Sequence, residues 1–271
     1  MPELPEVETT RRGIAPALTG RRILDAVVRD RRLRWPVDKQ FESSVRGQTV
    51  HGVERRGKYI LIKLDTGALI VHLGMSGSLR VLEAAVPPRL HDHWDLVLDS
   101  RKVLRFHDPR RFGSLHWTTD DPNVHKLLAK LAPEPLSEAF DADYLFRATR
   151  KRQVAIKQFI MNSQVVVGVG NIYASEALFR AGISPRRAAQ RITRAQAAAL
   201  TNAIKEVLAE AIDIGGTTLR DYVNPDGIPG YFRQKLFVYE RAGEACRVCK
   251  ALVKQFVQGQ RSTYWCATCQ R

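Results

Sequence analysis

Four cysteines, all within the last 26 residues, constrain the fold of this chain more than any other feature. Cys246, Cys249, Cys266 and Cys269 form two C-x2-C pairs separated by sixteen residues. Each pair can present two thiolates to one metal ion, and tetrahedral zinc takes four. Because cysteine fills every ligand position, the pattern predicts one structural Zn²⁺ with no position open for catalysis.

The segment between the two cysteine pairs predicts a β-hairpin. Two β-like runs, 252–257 and 261–265, flank a turn that contains Gly259. Two disulfides are the alternative use of four cysteines. We expect a cytoplasmic protein, because no signal-peptide pattern opens the chain, and disulfides are rare in that compartment.

Residues 1–132 carry short strand-like runs separated by turns. Examples are 59–64, 68–73 and 95–99, with an Asp-Thr-Gly turn at Asp65. This pattern predicts a mostly antiparallel β domain, either a sandwich or a barrel.

The periodicity changes further along the chain. Residues 133–151, with a proline-rich start, are expected to form a linker, and residues 152–235 a helical domain. Thr193 and Gln196 have the spacing of a capping box, and the Gly215-Gly216 pair predicts the end of that helix. Residues 236–271 would form the zinc finger.

The charge of the chain indicates a polyanionic partner. Lys and Arg total 43 against 28 Asp and Glu, a net charge of +15, and several arginines are clustered. Nucleic acid is favoured over a membrane surface. No apolar run approaches the roughly 18 residues that a membrane-spanning helix needs.

The N-terminus offers an unusual nucleophile. Met1 precedes the small residue Pro2 and is expected to be removed, which leaves a secondary amine. An α-amino group has a pKa near about 8, so an appreciable neutral fraction exists at physiological pH. The simpler interpretation is a helix start, in which Pro5 and the acidic Glu6 and Glu8 occupy the first turn.

Three motifs together resemble a known family. Residues 2–8 (PELPEVE), residues 168–176 (GVGNIYASE) and the four-cysteine finger closely resemble bacterial formamidopyrimidine-DNA glycosylases, also called 8-oxoguanine-DNA glycosylases. The resemblance covers essentially the whole chain, in the family's order. It implies an α+β multidomain fold with an N-terminal antiparallel β-sandwich and flanking helices, a helical domain with a helix–two-turn–helix, and a zinc-finger hairpin.

The resemblance also implies a reaction. Such enzymes remove oxidised purines (8-oxoguanine and formamidopyrimidines) from duplex DNA and cleave the strand by β- and δ-elimination. Pro2 would be the nucleophile that forms a Schiff base, and Glu3 would move protons. Lys58 would contact a phosphate beside the lesion, and Arg261 would clamp phosphate and support the second elimination.

Six further residues match DNA contacts of the family. A flipped-out base leaves a gap in the duplex, which Met75, Arg110 and Phe112 would fill. His91 and Arg152 also align with DNA contacts of the family, and Asn171 would contact the backbone while capping a helix that begins at Ile172. The family's lesion-covering loop corresponds to 216–230.

Two alternatives remain open at this level. Endonuclease VIII shares the terminal proline, the glutamate, the lysine and the finger but prefers oxidised pyrimidines; Leu4 and the Met75, Arg110 and Phe112 set favour the purine enzyme. A non-enzymatic zinc-finger DNA-binding protein would explain the charge and the cysteines but not the Pro2-Glu3 start. The expected partner is damaged duplex DNA, bound by a monomer.

Overall fold

The computed structural model describes residues 2–215 and 235–271. These residues form two compact units, 2–129 and 130–214 with 235–271, and each is described by itself. Within the described residues, no helix is long and apolar enough to cross a membrane.

The first unit contains two short-strand sheets and two helices. Its elements are α1 (Leu4–Leu18), β1 (Ile23–Val28), α2 (Phe41–Val45), β2 (Gly52–Arg56), β3 (Tyr59–Lys63), β4 (Ala68–His72), β5 (Ser78–Glu83), β6 (Asp92–Leu98), β7 (Lys102–His107) and β8 (Ser114–Thr118). One sheet has the order β1-β6-β7-β5 and the other β2-β3-β4-β8, and every pairing is antiparallel.

Both sheets contribute to one hydrophobic core. Ile60 and Val71 reach it from the second sheet, and Trp94 and Phe106, stacked with ring centroids 5.4 Å apart, reach it from the first. Alternating inward-facing residues from two sheets are typical of a sandwich. The predicted antiparallel β-sandwich is therefore confirmed, and the barrel is not formed.

Helix α1 begins as its sequence indicates. Pro5 lies in its first turn, where its missing N–H removes no helical hydrogen bond. Glu6 accepts the backbone N–H of Glu3 at 2.8 Å, which satisfies a donor that the helix leaves free. Val7 and Ile14 are buried in the core, as expected from their spacing.

The second unit is mainly helical. Its elements are α3 (Ala142–Thr149), α4 (Ile156–Ile160), α5 (Asn171–Arg180), α6 (Arg194–Asp213), β9 (Lys254–Gln258) and β10 (Arg261–Trp265). Helix α3 lies inside the segment expected to be a linker and packs against α6, with Leu145 buried. The capping box of Thr193 and Gln196 is present at the start of α6.

Helices α4 and α5 are joined by consecutive turns over 161–170. This is the helix–two-turn–helix that the family resemblance implies. Strands β9 and β10 pair antiparallel and form the predicted hairpin. Gly215, just beyond α6, has φ of +84°, the left-handed conformation that favours glycine at a helix end. Residues 216–234, with the expected lesion-covering loop, lie outside the described residues.

Candidate nucleic-acid-binding and catalytic site

The N-terminal pair is held in a buried position. Pro2 is buried, and Glu3 is only 2% exposed. Glu8, one helical turn further, accepts from Arg55 of β2 at 3.1 Å and so ties α1 to the sheet. Burial raises the pKa of Glu8, but hydrogen bonds from Arg11 and Arg12 more than offset this and hold it below its ordinary value.

Lys58 lies in the tight turn between β2 and β3. It is half-buried and follows Gly57, whose φ is +57°. Burial, together with the charges of Lys58 and Arg34, lowers the pKa of His72 to about 4. Because His72 is neutral at physiological pH, its Nδ1 accepts the N–H of Gly74 at 3.0 Å.

The three predicted gap-filling residues lie on two connections of the sandwich. Met75 is half-buried in 73–77, between β4 and β5, while Arg110 and Phe112 are exposed in 108–113, between β7 and β8. The Arg110 guanidinium lies 5.2 Å from the Phe112 ring centroid. A flat, 45% exposed aromatic beside a cation is suited to stacking on bases.

His91 occupies the last position before β6. It is half-buried and has φ of +71°, an uncommon conformation for a residue with a side chain. Its carbonyl accepts the N–H of Asp108 at 3.0 Å, which fixes this turn against the connection that carries Arg110.

Asn171 does not cap a helix, and that prediction was wrong. Helix α5 begins at Asn171 itself, with Gly170 as its N-cap. The Asn171 side chain instead accepts from Lys157 Nζ at 2.6 Å and donates to the Ser262 carbonyl at 2.9 Å. The side-chain amide of Asn171 therefore bonds to residues of α4 and β10 and does not cap the helix.

Lys157 is the centre of this arrangement. It is 1% exposed, and its ammonium group also donates to Thr263 Oγ1 at 2.8 Å. A buried ammonium is tolerated only where its protons are hydrogen-bonded, and here it joins α4, α5 and β10. The sequence gives a weak signal for it, a lysine among apolar residues between Ile156 and Phe159.

Arg261 is exposed at the start of β10. Gly259 and Gln260 both have positive φ, +55° and +60°, as a two-residue type I′ hairpin turn requires. A pocket beside this turn is lined by Lys157, Gln158, Met161, Asn162, Gln258, Gly259 and Arg261. Two cations at a concave surface suit an anionic group such as phosphate. Arg152, in the turn before α4, is also exposed.

The four cysteines converge as predicted. Their Sγ atoms lie within 4.8 Å of one another, with Cys246 and Cys269 3.9 Å apart and Cys249 and Cys266 3.4 Å apart. Sulfurs about 2.3 Å from a tetrahedral zinc ion have comparable separations. A backbone hydrogen bond lowers the pKa of Cys249 to about 7, whereas burial raises the pKa of Cys269 to about 12. A cation is needed to hold all four as thiolates, and the site is suited to one structural zinc ion.

Two buried carboxylates were not predicted from the sequence. Glu176, on α5, is 1% exposed and accepts three backbone N–H groups, from Phe237, Val238 and Tyr239, at 2.8 to 3.0 Å. Asp108 is completely buried between three connections of the sandwich. Only its position two residues before Arg110 marks it in the sequence.

Fold and site together define a zinc-stabilised nucleic-acid-binding protein with a β-sandwich and a helix–two-turn–helix. Comparison with known proteins gives the family. Profiles described as formamidopyrimidine-DNA glycosylase N-terminal domain, formamidopyrimidine-DNA glycosylase H2TH domain, and zinc finger found in FPG and IleRS match residues 1–115, 131–223 and 243–271. The chain belongs to the formamidopyrimidine-DNA glycosylase family of base-excision-repair enzymes.

Individual relatives align over the full length. The chain is 62% identical to formamidopyrimidine-DNA glycosylase of Thioalkalivibrio sulfidiphilus and 57% identical to that of Methylococcus capsulatus, with all of each chain covered. Among solved structures, the MutM (Fpg) protein of Thermus thermophilus has 42% identity and a TM-score of 0.89, covering 99% of this chain and 98% of that one. A Lactococcus lactis Fpg mutant bound to Fapy-dG-containing DNA has 32% identity and a TM-score of 0.92 over both full chains.

Proposed function

We propose that this chain excises oxidised purines from duplex DNA through a Schiff base on Pro2 and then cleaves the strand by β- and δ-elimination. The observation that carries the proposal is full-length similarity to enzymes solved with Fapy-dG DNA and with abasic-site DNA, combined with a Pro2-Glu3 start at the base of α1. The family membership argues against the alternative of a non-enzymatic zinc-finger DNA-binding protein.

The N-terminal amine supplies the nucleophile once Met1 has been removed. The Pro2 nitrogen attacks C1′ of the damaged nucleotide and loses its own proton, the C1′–N bond to the base breaks, and the base leaves with a proton. The C1′–O4′ bond then breaks, O4′ takes a proton, and the proline nitrogen and C1′ form an iminium ion, the Schiff base. Glu3 moves protons to the sugar oxygen or the leaving base. If Met1 is retained, Pro2 is a tertiary amide and no such attack is possible.

Strand cleavage follows from the iminium ion. Loss of a proton from C2′ expels the 3′ phosphate, and a second elimination expels the 5′ phosphate. Lys58 would contact a phosphate beside the lesion and assist the first step. Arg261 would stabilise the phosphate that leaves in the second, since a guanidinium can bind phosphate through two parallel hydrogen bonds.

The remaining residues would hold and distort the duplex. Met75 and Phe112 would replace the stacking lost when the nucleotide flips out, and Arg110 would pair with the orphaned base. His91 would contact the backbone on the sandwich side. Arg152 and Asn171 would do so on the helical side, where Asn171 would act with its partner Lys157.

The organisation and setting of the enzyme complete the proposal. From the sequence we propose four segments: a sandwich domain (1–132), a linker (133–151), a helix–two-turn–helix domain (152–235) and a finger (236–271). We expect a monomer in the bacterial cytoplasm. A reducing compartment supports thiolates held by zinc, and the described cysteines are free of disulfides.

Borohydride trapping tests the central step. Protein shown by mass spectrometry to lack Met1 should form a covalent adduct with duplex DNA containing 8-oxoguanine. Absence of an adduct from the processed protein would refute the Schiff-base mechanism. Faster trapping on duplexes with oxidised pyrimidines than on 8-oxoguanine would instead favour the endonuclease VIII-like specificity.

The role of Arg261 can be tested separately. Arg261→Ala should reduce δ-elimination more than base release, because its proposed partner is the phosphate expelled last. Lys254→Ala, an exposed charge on the same hairpin, is the matched control and should affect both steps equally and weakly. Equal loss of every step in Arg261→Ala would show that Arg261 contributes only to binding.

A further inference from the structure

Asp108 connects three loops at one end of the sandwich. Its carboxylate accepts the Ser76 hydroxyl at 2.7 Å and the Gly113 N–H at 2.8 Å. Its own N–H donates to the His91 carbonyl at 3.0 Å, and its carbonyl accepts from His93 Nε2 at 2.7 Å. One completely buried residue therefore makes direct bonds to the 73–77, 84–91 and 108–113 connections and to β6.

Each of these connections carries a proposed DNA contact. Met75 is adjacent to Ser76, His91 is itself bonded to Asp108, and Arg110 and Phe112 lie in the same loop as Asp108. The Arg110 N–H also approaches the Asp108 carboxylate, at 3.3 Å. The four side chains that would fill the gap and contact the backbone thus share one anchor that does not itself reach the surface.

Glycines allow the loops to meet closely. A Cβ on Gly74 would lie 2.4 Å from the Gly113 nitrogen, and Gly74 also has φ of +69°. A Cβ on Gly113 would lie 2.5 Å from the Phe106 ring and 3.0 Å from the Asp108 carboxylate. The 73–77 and 108–113 loops therefore touch backbone to backbone, and the carboxylate joins them at this contact.

We propose that Asp108 is a positioning residue that holds Met75, His91 and the Arg110–Phe112 pair in the register needed to fill the gap and read the opposite base. This inference rests on the proposed function of those four residues. Asp108 is too deeply buried to touch DNA, and its effect is exerted through the loops. A buried carboxylate fits this role because it can accept several N–H and O–H donors at once.

Substitution at Asp108 separates positioning from chemistry. Asp108→Ala leaves the Gly113 N–H and the Ser76 hydroxyl without their buried acceptor. Excision of 8-oxoguanine from duplex DNA should fall on the order of 10- to 100-fold, because small misplacements of contact groups have effects of that size. The ratio of rates with cytosine and with adenine opposite the lesion should move toward one, since Arg110 is no longer held in place. Trapping on an abasic site in a single strand, which leaves no gap to fill, should stay near wild type.

Two further variants test how strongly the opposite-base preference depends on the contact between these loops. Asp108→Asn should rescue part of the opposite-base preference, because its carbonyl can keep the Gly113 bond while its NH₂ donates to Ser76 Oγ. Gly74→Ala should reproduce the Asp108→Ala phenotype by forcing the loops apart. Leu96→Ala, a cavity in the same core away from these loops, is the stability control and should leave the opposite-base ratio unchanged.

An unchanged opposite-base ratio in Asp108→Ala would overturn the proposal, as would equal loss of single-strand trapping or an equal change of the ratio in Leu96→Ala.

Amide hydrogen exchange without DNA gives a readout that does not depend on activity. Exchange in 73–77 and 108–113 should be faster in Asp108→Ala than in wild type, and unchanged exchange would also overturn the proposal. A wild-type protein that traps neither substrate would refute the proposed function, while the exchange result would still decide whether Asp108 joins the loops.

Discussion

Replacing Glu176 perturbs the link between α5 and the zinc finger. Its two carboxylate oxygens accept the N–H groups of three consecutive residues, Phe237, Val238 and Tyr239. Burial raises the pKa of Glu176, and the three N–H donors oppose this rise. Val238 belongs to the same apolar cluster as Cys246 and Cys266, so the hydrogen bonds fix the chain that enters the zinc site.

The loss in stability should depend on how many donors are left without a partner. In Glu176→Gln, the remaining carbonyl can keep the bonds to Val238 and Tyr239, but the NH₂ group faces the Phe237 N–H. We expect a loss of about 1–3 kcal/mol, the value for one buried donor left unsatisfied. Glu176→Ala leaves all three N–H groups without their acceptor, of which that of the completely buried Val238 matters most, and should lose about 3–5 kcal/mol.

Urea unfolding followed by circular dichroism measures the free energy, and a colorimetric chelator measures zinc release in parallel. Zinc release should shift to lower urea in the order wild type, Glu176→Gln, Glu176→Ala. Glu210→Gln is the matched control, because its carboxylate is exposed and pairs with the Arg180 guanidinium through two hydrogen bonds at 2.7 and 2.8 Å. Such a pair contributes about 0–1 kcal/mol.

Two results would refute this reasoning. If Glu176→Gln is as destabilising as Glu176→Ala, the number of accepted N–H groups does not set the loss. If zinc release is the same in Glu176→Ala and wild type, the carboxylate does not stabilise the chain that leads into the finger.

Three shorter predictions address other parts of the molecule. Lys157→Met should lower stability by about 1–3 kcal/mol and weaken DNA binding, because the Asn171 carbonyl loses its buried donor; urea unfolding and titration with abasic-site duplex check both effects. Burial raises the pKa of Asp95, but hydrogen bonds from Arg29 and Arg105 hold it below its ordinary 3.8. Its contribution to stability is therefore present above that pH and lost as the pH falls below it, so Asp95→Asn should flatten the acid limb of a thermal unfolding profile. A footprint of about six phosphates predicts a slope near −5 when the logarithm of the binding constant is plotted against that of salt concentration.

Local patterns in the sequence predicted the elements whose geometry is set by neighbouring residues. The C-x2-C spacing predicted the zinc cluster, and the glycine between two β-like runs predicted the hairpin that presents Arg261. The capping box at Thr193 predicted the start of α6. In each case the interacting groups are a few residues apart, or they are side chains of a type and spacing that one metal ion can bind together.

Residues whose role depends on distant partners were misjudged or missed. Asn171 was expected to cap its own helix, a local role, but its amide bonds to Lys157, fourteen residues earlier, and to Ser262, ninety-one residues later. Glu176 lies within a motif that carried the family resemblance, yet nothing near it in sequence indicates that it binds the chain sixty-one residues away.

By itself, the sequence determined the zinc ligands, the proline that is proposed as the nucleophile once Met1 is removed, and the positive charge that favours DNA. Those properties reside in the chemistry and spacing of the side chains. Only the tertiary structure decided that Asp108, Lys157 and Glu176 are buried and hydrogen-bonded to several partners. A charged group inside a protein is stable only where folding supplies its donors or acceptors, and the sequence does not specify which distant groups will surround it.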